Sequence, residues 1–180
     1  MPLVGFSSEG HPQQSGKKEF NPAIDDRALP QPIFDKWHAR FNFTVDAAAS
    51  TANRKLSHYW TERDNGLDQS WAGHRVYCNP PFSDIAPWVR KAWAERMAQM
   101  VVLLLPANRT EQGWWQDMIE PFRDRTGSVL RIEFLKGRLR FLKPGERVIK
   151  GDSRPPFGCL LAIWDWAGGL QPDPRPALFE

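Results

Sequence analysis

Cysteine is nearly missing from this chain of 180 residues, which has only Cys78 and Cys159. The two stand far apart inside apolar, strand-like runs. Two thiols cannot make a disulfide framework or a four-ligand zinc site, so both read as reduced core residues and no metal is expected. No apolar run reaches the length of about 18 residues that a membrane span needs. The opening "MPLVGFSSEGHPQQSGKKEF" is polar and charged where a secretory signal needs its apolar stretch, so a soluble, cytoplasmic protein without a membrane partner is expected. No G-x-G-x-x-G or P-loop is present, which removes support for a dinucleotide cofactor or a phosphate cradle of that kind. Internal repeats are also absent. What the chain does have is 41% hydrophobic residues, nine Trp and eleven Phe, enough to bury one core and to exclude disorder of the whole chain. The net charge of +3 is a weak pointer to an anionic partner; where the charges fall says more.

Residues 1–20 are rich in Gly, Ser, Pro, Gln and Lys without periodicity and read as a flexible tail, and "QPDPRPALFE" (171–180), with three prolines, reads as a second tail. Residues 21–170 are expected to form a single domain. "QPIFDKWHARF" places Ile33, Phe34, Trp37 and Phe41 at helical spacing, with Pro32 tolerated in the first turn. "FNFTVDAAAS" reads as a short strand ending at Asp46. Cap-type residues in "STANRKL" suggest a short helix, and "HYWT" a strand. "HRVYCN" is a strand stopped by two prolines, and Ile85 to Met100 a helix with Trp88, Val89, Ala92, Trp93 and Met97 on its apolar face. "MVVLLLP" suits a strand buried on both faces. "TEQGWWQDMIEPF" is expected to be a helix capped by Thr110. "VLRIEFLKGRLRFL" and "GCLLAIWDW" are expected to be antiparallel neighbours. Strands alternating with helices predict an α/β fold: a mostly parallel central sheet, helices on both faces, and antiparallel strands at the C-terminal side.

Ligands of such sheets sit at the carboxyl ends of strands, near the point where strand order reverses. Two predicted strands end there in unusual residues. One runs into "NPPF", Asn79 to Phe82. An amine attached to an aromatic ring has its lone pair delocalised and is a poor nucleophile. The Asn79 side-chain oxygen and the Pro80 carbonyl can accept its two hydrogens, while Pro80 and Pro81 stiffen the loop and add no competing donor. Phe82 offers a flat face on which a base turned out of its stack could lie. The same four residues also suit a plain rigid turn. The other strand ends at Asp46, followed by Ala47 and Ala48, where a carboxylate among small side chains suits a cationic cofactor with an amino-acid tail; a helix-capping role fits it as well. His74 is a lone candidate base, or a surface turn residue.

The stretch from Phe41 to Ala92 resembles the phage-type DNA N6-adenine methyltransferases, the compact Dam-like family. The similarity lies in the F-T-x-D-A-A-A-S block, Asn53, the Tyr59–Thr61 segment, Asp64 to Leu67 with Trp71, and the N-P-P-[YF] loop. It extends outward through "QPIFDKW", "VVLLLPANRT", "IEFLKGRLRF" and "RPPFGCLLAIW". The family usually has Thr-Pro where Leu29-Pro30 stands, and often an acidic residue where this chain has Asn65. The resemblance implies a Rossmann-like class I fold that uses S-adenosylmethionine to methylate a flipped adenine at N6 in DNA, within a bacterial or phage-infected cell. It assigns Asp46, Ala47, Ala48, Asp64, Asn65, Leu67, Pro30 and Gln31 to the cofactor and Asn79, Pro80, Pro81 and Phe82 to catalysis. The same loop also serves cytosine N4 and glutamine amide methylation, and a degenerate, non-enzymatic DNA-binding relative is a further alternative.

Between Arg131 and Arg154 lie eight Lys or Arg and three acids. Of these, Arg138, Arg140, Lys143, Arg147, Lys150 and Arg154 are candidate phosphate contacts, or simply a solvated loop. Asn108 to Trp115 is a second candidate surface, with Trp114 and Trp115 either wedging into DNA or packed in the core.

Overall fold

The structure, a computed structural model, describes residues 28–142, 146 and 157–168. Its elements are α1 (Gln31–Phe41), β1 (Val45–Asp46), β2 (Arg75–Cys78), α2 (Ala86–Ala94), β3 (Met100–Pro106), α3 (Gly113–Met118), β4 (Leu130–Phe134) and β5 (Cys159–Trp164). They build one five-stranded sheet in the order β1-β2-β3-β5-β4. The first three strands are parallel, and β5 runs antiparallel to both of its neighbours.

Every residue of β3 and β5 is buried, as expected of unbroken apolar runs in the middle of a two-faced sheet. Alternation along the strands sends side chains to two separate cores. On one face Val45, Val76, Cys78 and Leu103 meet Trp88, Val89 and Ala92 of α2 and the Trp114–Trp115 pair of α3. On the other, Tyr77, Val102 and Leu161 meet Phe34 and Phe41 of α1. A bidentate ion pair fastens α1 to β4: Arg40 donates from both terminal nitrogens to Glu133 at 2.7 Å. Both cysteines are buried and unpaired with each other. No helix among the described residues is long and apolar enough to cross a membrane.

Local readings differ from the fold in four places. "STANRKL" makes a single turn and no helix: Ser50 N–H donates to Asn53 Oδ1 (2.7 Å) and Asn53 N–H to Ser50 Oγ (3.2 Å), and the chain leaves before a second turn forms. The helix expected to reach Met100 stops at Ala94: Glu95 leaves the helical region (φ −84, ψ 57) and its carboxylate accepts from the Trp71 N–H (3.1 Å), while its i,i+4 pair with Lys91 Nζ (2.5 Å) supports the last turn. Met97 is consequently 77% exposed rather than on the apolar face. α3 opens at Gly113 with Gln112 before it and no side-chain cap, so Thr110 does not start it. The "HYWT" strand shrinks to a bridge in which Tyr59 lies parallel to Asp46, tied by Asp46 N–H to His58 O (3.1 Å) and Trp60 N–H to Asp46 O (2.9 Å).

That bridge fixes the site. The chain leaves β1, passes on one side of it at Tyr59, and returns to pair on the other side as β2. Strand order therefore reverses at β1, where open α/β sheets form their ligand crevice.

Candidate active site

Register brings the two unusual strand ends together. Asp46 stands opposite Tyr77, and Ala47 N–H donates to Tyr77 O at 2.8 Å, so Asn79 begins its loop two residues beyond the partner of Asp46. Between the loops lies a cavity of about 640 Å³. Ala47 to Thr51 and Asn53 form one wall, Thr61 to Arg63 with Asn65 and Gly66 a second, and Asn79, Pro81 and Trp88 a third. The volume is that of a site for a nucleoside-sized ligand.

Gly66 explains how the second wall comes so close. A Cβ built on it would lie 2.0 Å from the Ala47 carbonyl oxygen, so only glycine lets the two walls touch. Its own carbonyl accepts the Trp71 indole N–H at 2.9 Å. Asn65 before it adopts φ 49, a left-handed conformation that asparagine tolerates well, which gives this position a backbone reason for its amide.

The other predicted cofactor residues fall into different positions. Asp64 is exposed, and its Oδ2 accepts from the Thr61 N–H (2.9 Å) and Oγ1–H (2.7 Å), bonds that hold its pKa below the usual value. Glu62 is the acid on the cavity wall. Leu67 packs against the core behind that wall. Pro30 precedes α1, and Gln31 accepts from Lys55 Nζ at 3.5 Å.

Asp46 lies on the opposite face of the sheet from the apolar lining. It is 2% exposed; Oδ2 accepts from the Lys55 N–H at 3.0 Å, and Oδ1 makes no hydrogen bond although the nearby Ala48 amide favours the anion. Burial pushes its pKa up to about 6. A buried carboxylate in that state is stabilised by any cation brought beside it.

Of the catalytic candidates, Asn79 and Pro81 line the cavity, whereas Pro80 is buried. The Phe82 ring packs on Phe141 (centroids 6.4 Å, edge-on) and Phe157 (6.1 Å), and does not line the cavity. His74 sits at the amino end of β2, about five residues or ~16 Å from Asn79 at strand spacing. There its Nδ1 meets Thr44 Oγ1 at 3.1 Å, so it is no base for an amine held at Asn79. Trp114 and Trp115 are core residues, 6% and 2% exposed, and not a wedge. Arg138 and Arg140 are exposed; Lys143, Arg147, Lys150 and Arg154 lie outside the described residues.

Gly66, Trp88 and Glu62 were missed by reading the sequence. Trp88 was read only as part of a core-facing stripe, and the Asn-Gly pair was the one available signal for a tight approach at Gly66.

An open α/β sheet with a nucleoside-sized cavity at its reversal point, walled on one side by an acceptor-rich proline loop, defines a ligand-binding domain of enzyme type. A family model described as DNA N-6-adenine-methyltransferase (Dam) matches residues 17–166, and the chain belongs to that family. A protein of Haemophilus phage HP1 (strain HP1c1) named DNA N-6-adenine-methyltransferase is 28% identical over 93 residues, which make up 51% of this chain and 54% of the phage protein. The chain thus spans about half the length of that curated relative.

Proposed function

We propose that this protein transfers a methyl group from S-adenosylmethionine to the N6 amine of a flipped adenine in DNA, on a Rossmann-like class I fold. The observation that carries the reading is that Asn79 and Pro81 line the same cavity as the Ala47–Asn53 turn. Family membership supports the choice of adenine, and the reversal of strand order at β1 supports the fold class.

The residues present suit the cofactor. Trp88 and the three alanines give an apolar surface for a purine; Ser50, Thr51, Asn53 and Glu62 give partners for hydroxyls. The Asp46 carboxylate does not line the cavity; its Oδ2 accepts from the Lys55 N–H and holds the turn that carries Ser50, Thr51 and Asn53. When bound, S-adenosylmethionine supplies an electrophilic methyl carbon on a sulfonium. The chain's part is to hold the amine: Asn79 Oδ1 and the Pro80 carbonyl accept its two N–H groups and turn the nitrogen lone pair toward the cavity. Pro81 walls that cavity, and the proton that the amine gives up on gaining the methyl group leaves to solvent. Exposed Arg138 and Arg140, with the basic residues that follow, are the proposed phosphate contacts.

The test is to incubate the protein with labelled S-adenosylmethionine and duplex DNA, then digest to nucleosides. The expected product is labelled N6-methyladenine. Label in N4-methylcytosine, or in protein and not in DNA, would replace adenine with one of the other planar nitrogens this loop can hold.

A further inference from the structure

A loop built on two consecutive prolines has a weakness. Pro80 and Pro81 contribute no N–H, so the loop has fewer donors with which to tie itself down, while its task requires carbonyl and amide oxygens held in fixed directions. Within the loop a turn bond runs from the Asp84 N–H to Pro81 O at 3.2 Å. Support from outside comes from the neighbouring strand. β2 and β3 are parallel with Cys78 opposite Leu103, so the segments following them emerge at the same edge. Three residues past the end of β3, Arg109 reaches across, and its Nη1 donates to the Phe82 carbonyl. A guanidinium bond to a carbonyl is charge-assisted, and Arg109 is half-buried, which shields it from competing water. The Phe82 ring is held separately by Phe141 and Phe157. The same residue is thus fixed by its backbone from the segment that follows β3 and by its ring from two distant segments.

We propose that Arg109 is a positioning residue: it anchors the Phe82 carbonyl and thereby holds Asn79 and the Pro80 carbonyl in the directions that receive the amine. The proposal rests on the methyl-transfer reading above. Arg109 touches neither amine nor cofactor in this role. Its removal loosens the loop, and displacement of a reacting group by about 1 Å lowers a rate by about 100-fold.

The experiment uses the full chain with Arg109→Met and Arg109→Lys, and has two independent readouts. The first is the single-turnover methyl-transfer rate at saturating DNA, with cofactor affinity and melting temperature measured alongside. Arg109→Met is expected to lose on the order of 100-fold in rate while cofactor affinity stays within about twofold. Arg109→Lys is expected to recover part of the rate, as is added guanidinium with the Met variant; guanidinium is expected to do nothing for Asn79→Ala. The second readout is hydrogen exchange of the Phe82, Ser83 and Asp84 amides, which does not depend on activity and is expected to quicken by about tenfold in Arg109→Met. Three results overturn the proposal: a rate within about threefold of wild type, a loss confined to DNA affinity as for a phosphate contact, or unchanged exchange in the loop. A wild-type protein that does not methylate adenine would sink the functional reading instead, and loop exchange would still decide the role of Arg109.

Discussion

Gly66→Ala tests the cavity most directly, because its effect can be worked out from one distance. The new methyl would meet the Ala47 carbonyl oxygen at 2.0 Å, the Ala47 carbonyl carbon at 3.1 Å and the Trp88 ring at 3.4 Å. The first contact is with backbone, so no rotamer change relieves it; the two walls must part by about 1 Å. Forced overpacking costs about 1–3 kcal/mol, and a backbone partner argues for the upper end. Parting the walls also pulls on the buried bond from Trp71 Nε1 to the Gly66 carbonyl. At about 2–4 °C per kcal/mol for a chain of this size, 3 kcal/mol lowers the melting temperature by about 6–12 °C. Gly73→Ala is the control. Its φ of +74 makes alanine strained there, by about 1–2 kcal/mol, but nothing lies within 4 Å of the added carbon and the site is not part of the cavity. Calorimetry with cofactor titration is expected to show lost stability in both variants, and weaker S-adenosylmethionine binding only in Gly66→Ala. If Gly66→Ala melts within about 2 °C of wild type and binds cofactor normally, the close approach of the two walls is wrong.

Asp46→Asn should flatten the pH dependence of stability in cofactor-free protein. The carboxyl pKa is raised from 3.8 to about 6 by burial, so its contribution is full below pH about 4 and lost as pH rises through about 6. The loss is up to about 3 kcal/mol in wild type, and equal pH profiles for the two proteins in denaturant titrations would contradict it. Arg40→Met leaves Glu133, 6% exposed, without its bidentate partner. Breaking a fully buried pair costs about 3–5 kcal/mol. The Arg40 side chain is 32% exposed, so about 1–2 kcal/mol is expected in denaturant unfolding; no measurable change would show the pair to be incidental. Asn79→Ala should lower methyl transfer by about 100-fold or more while cofactor affinity persists, and a wild-type rate would remove Asn79 from catalysis.

The sequence was most legible where one local rule was enough. The continuous apolar run from Met100 to Pro106 announced a strand buried on both faces, and the prolines after Asn79 marked the end of β2. Asp46 and Asn79 could be placed at one sheet edge because parallel strands separated by connecting segments leave their carboxyl ends side by side. What stayed hidden depended on partners distant in the chain. At the end of α2, Glu95 accepts from the Trp71 N–H, a partner 24 residues away that no helix propensity contains. Phe82 was read as a free aromatic face, but its ring is engaged by Phe141 and Phe157, which lie beyond the next two strands or further. Asp64 lies between the cavity-lining Arg63 and Asn65, and its carboxylate accepts two hydrogen bonds from Thr61, which the sequence does not announce.

The position of β5 bears on how the protein is made. It is the last strand in the described chain, yet it lies between β3 and β4 and is the only strand either pairs with on that side. On a ribosome, β1, β2 and β3 can assemble while the edge of β3 waits for its partner, and β4 has no neighbour among the described strands until Cys159–Trp164 emerges. At roughly 5–20 residues per second, the stretch from Pro106 to Trp164 leaves that edge open for about 3–12 seconds. An exposed strand edge invites pairing with another chain, so the nascent protein is most vulnerable to aggregation just before its synthesis reaches the strand that closes the sheet.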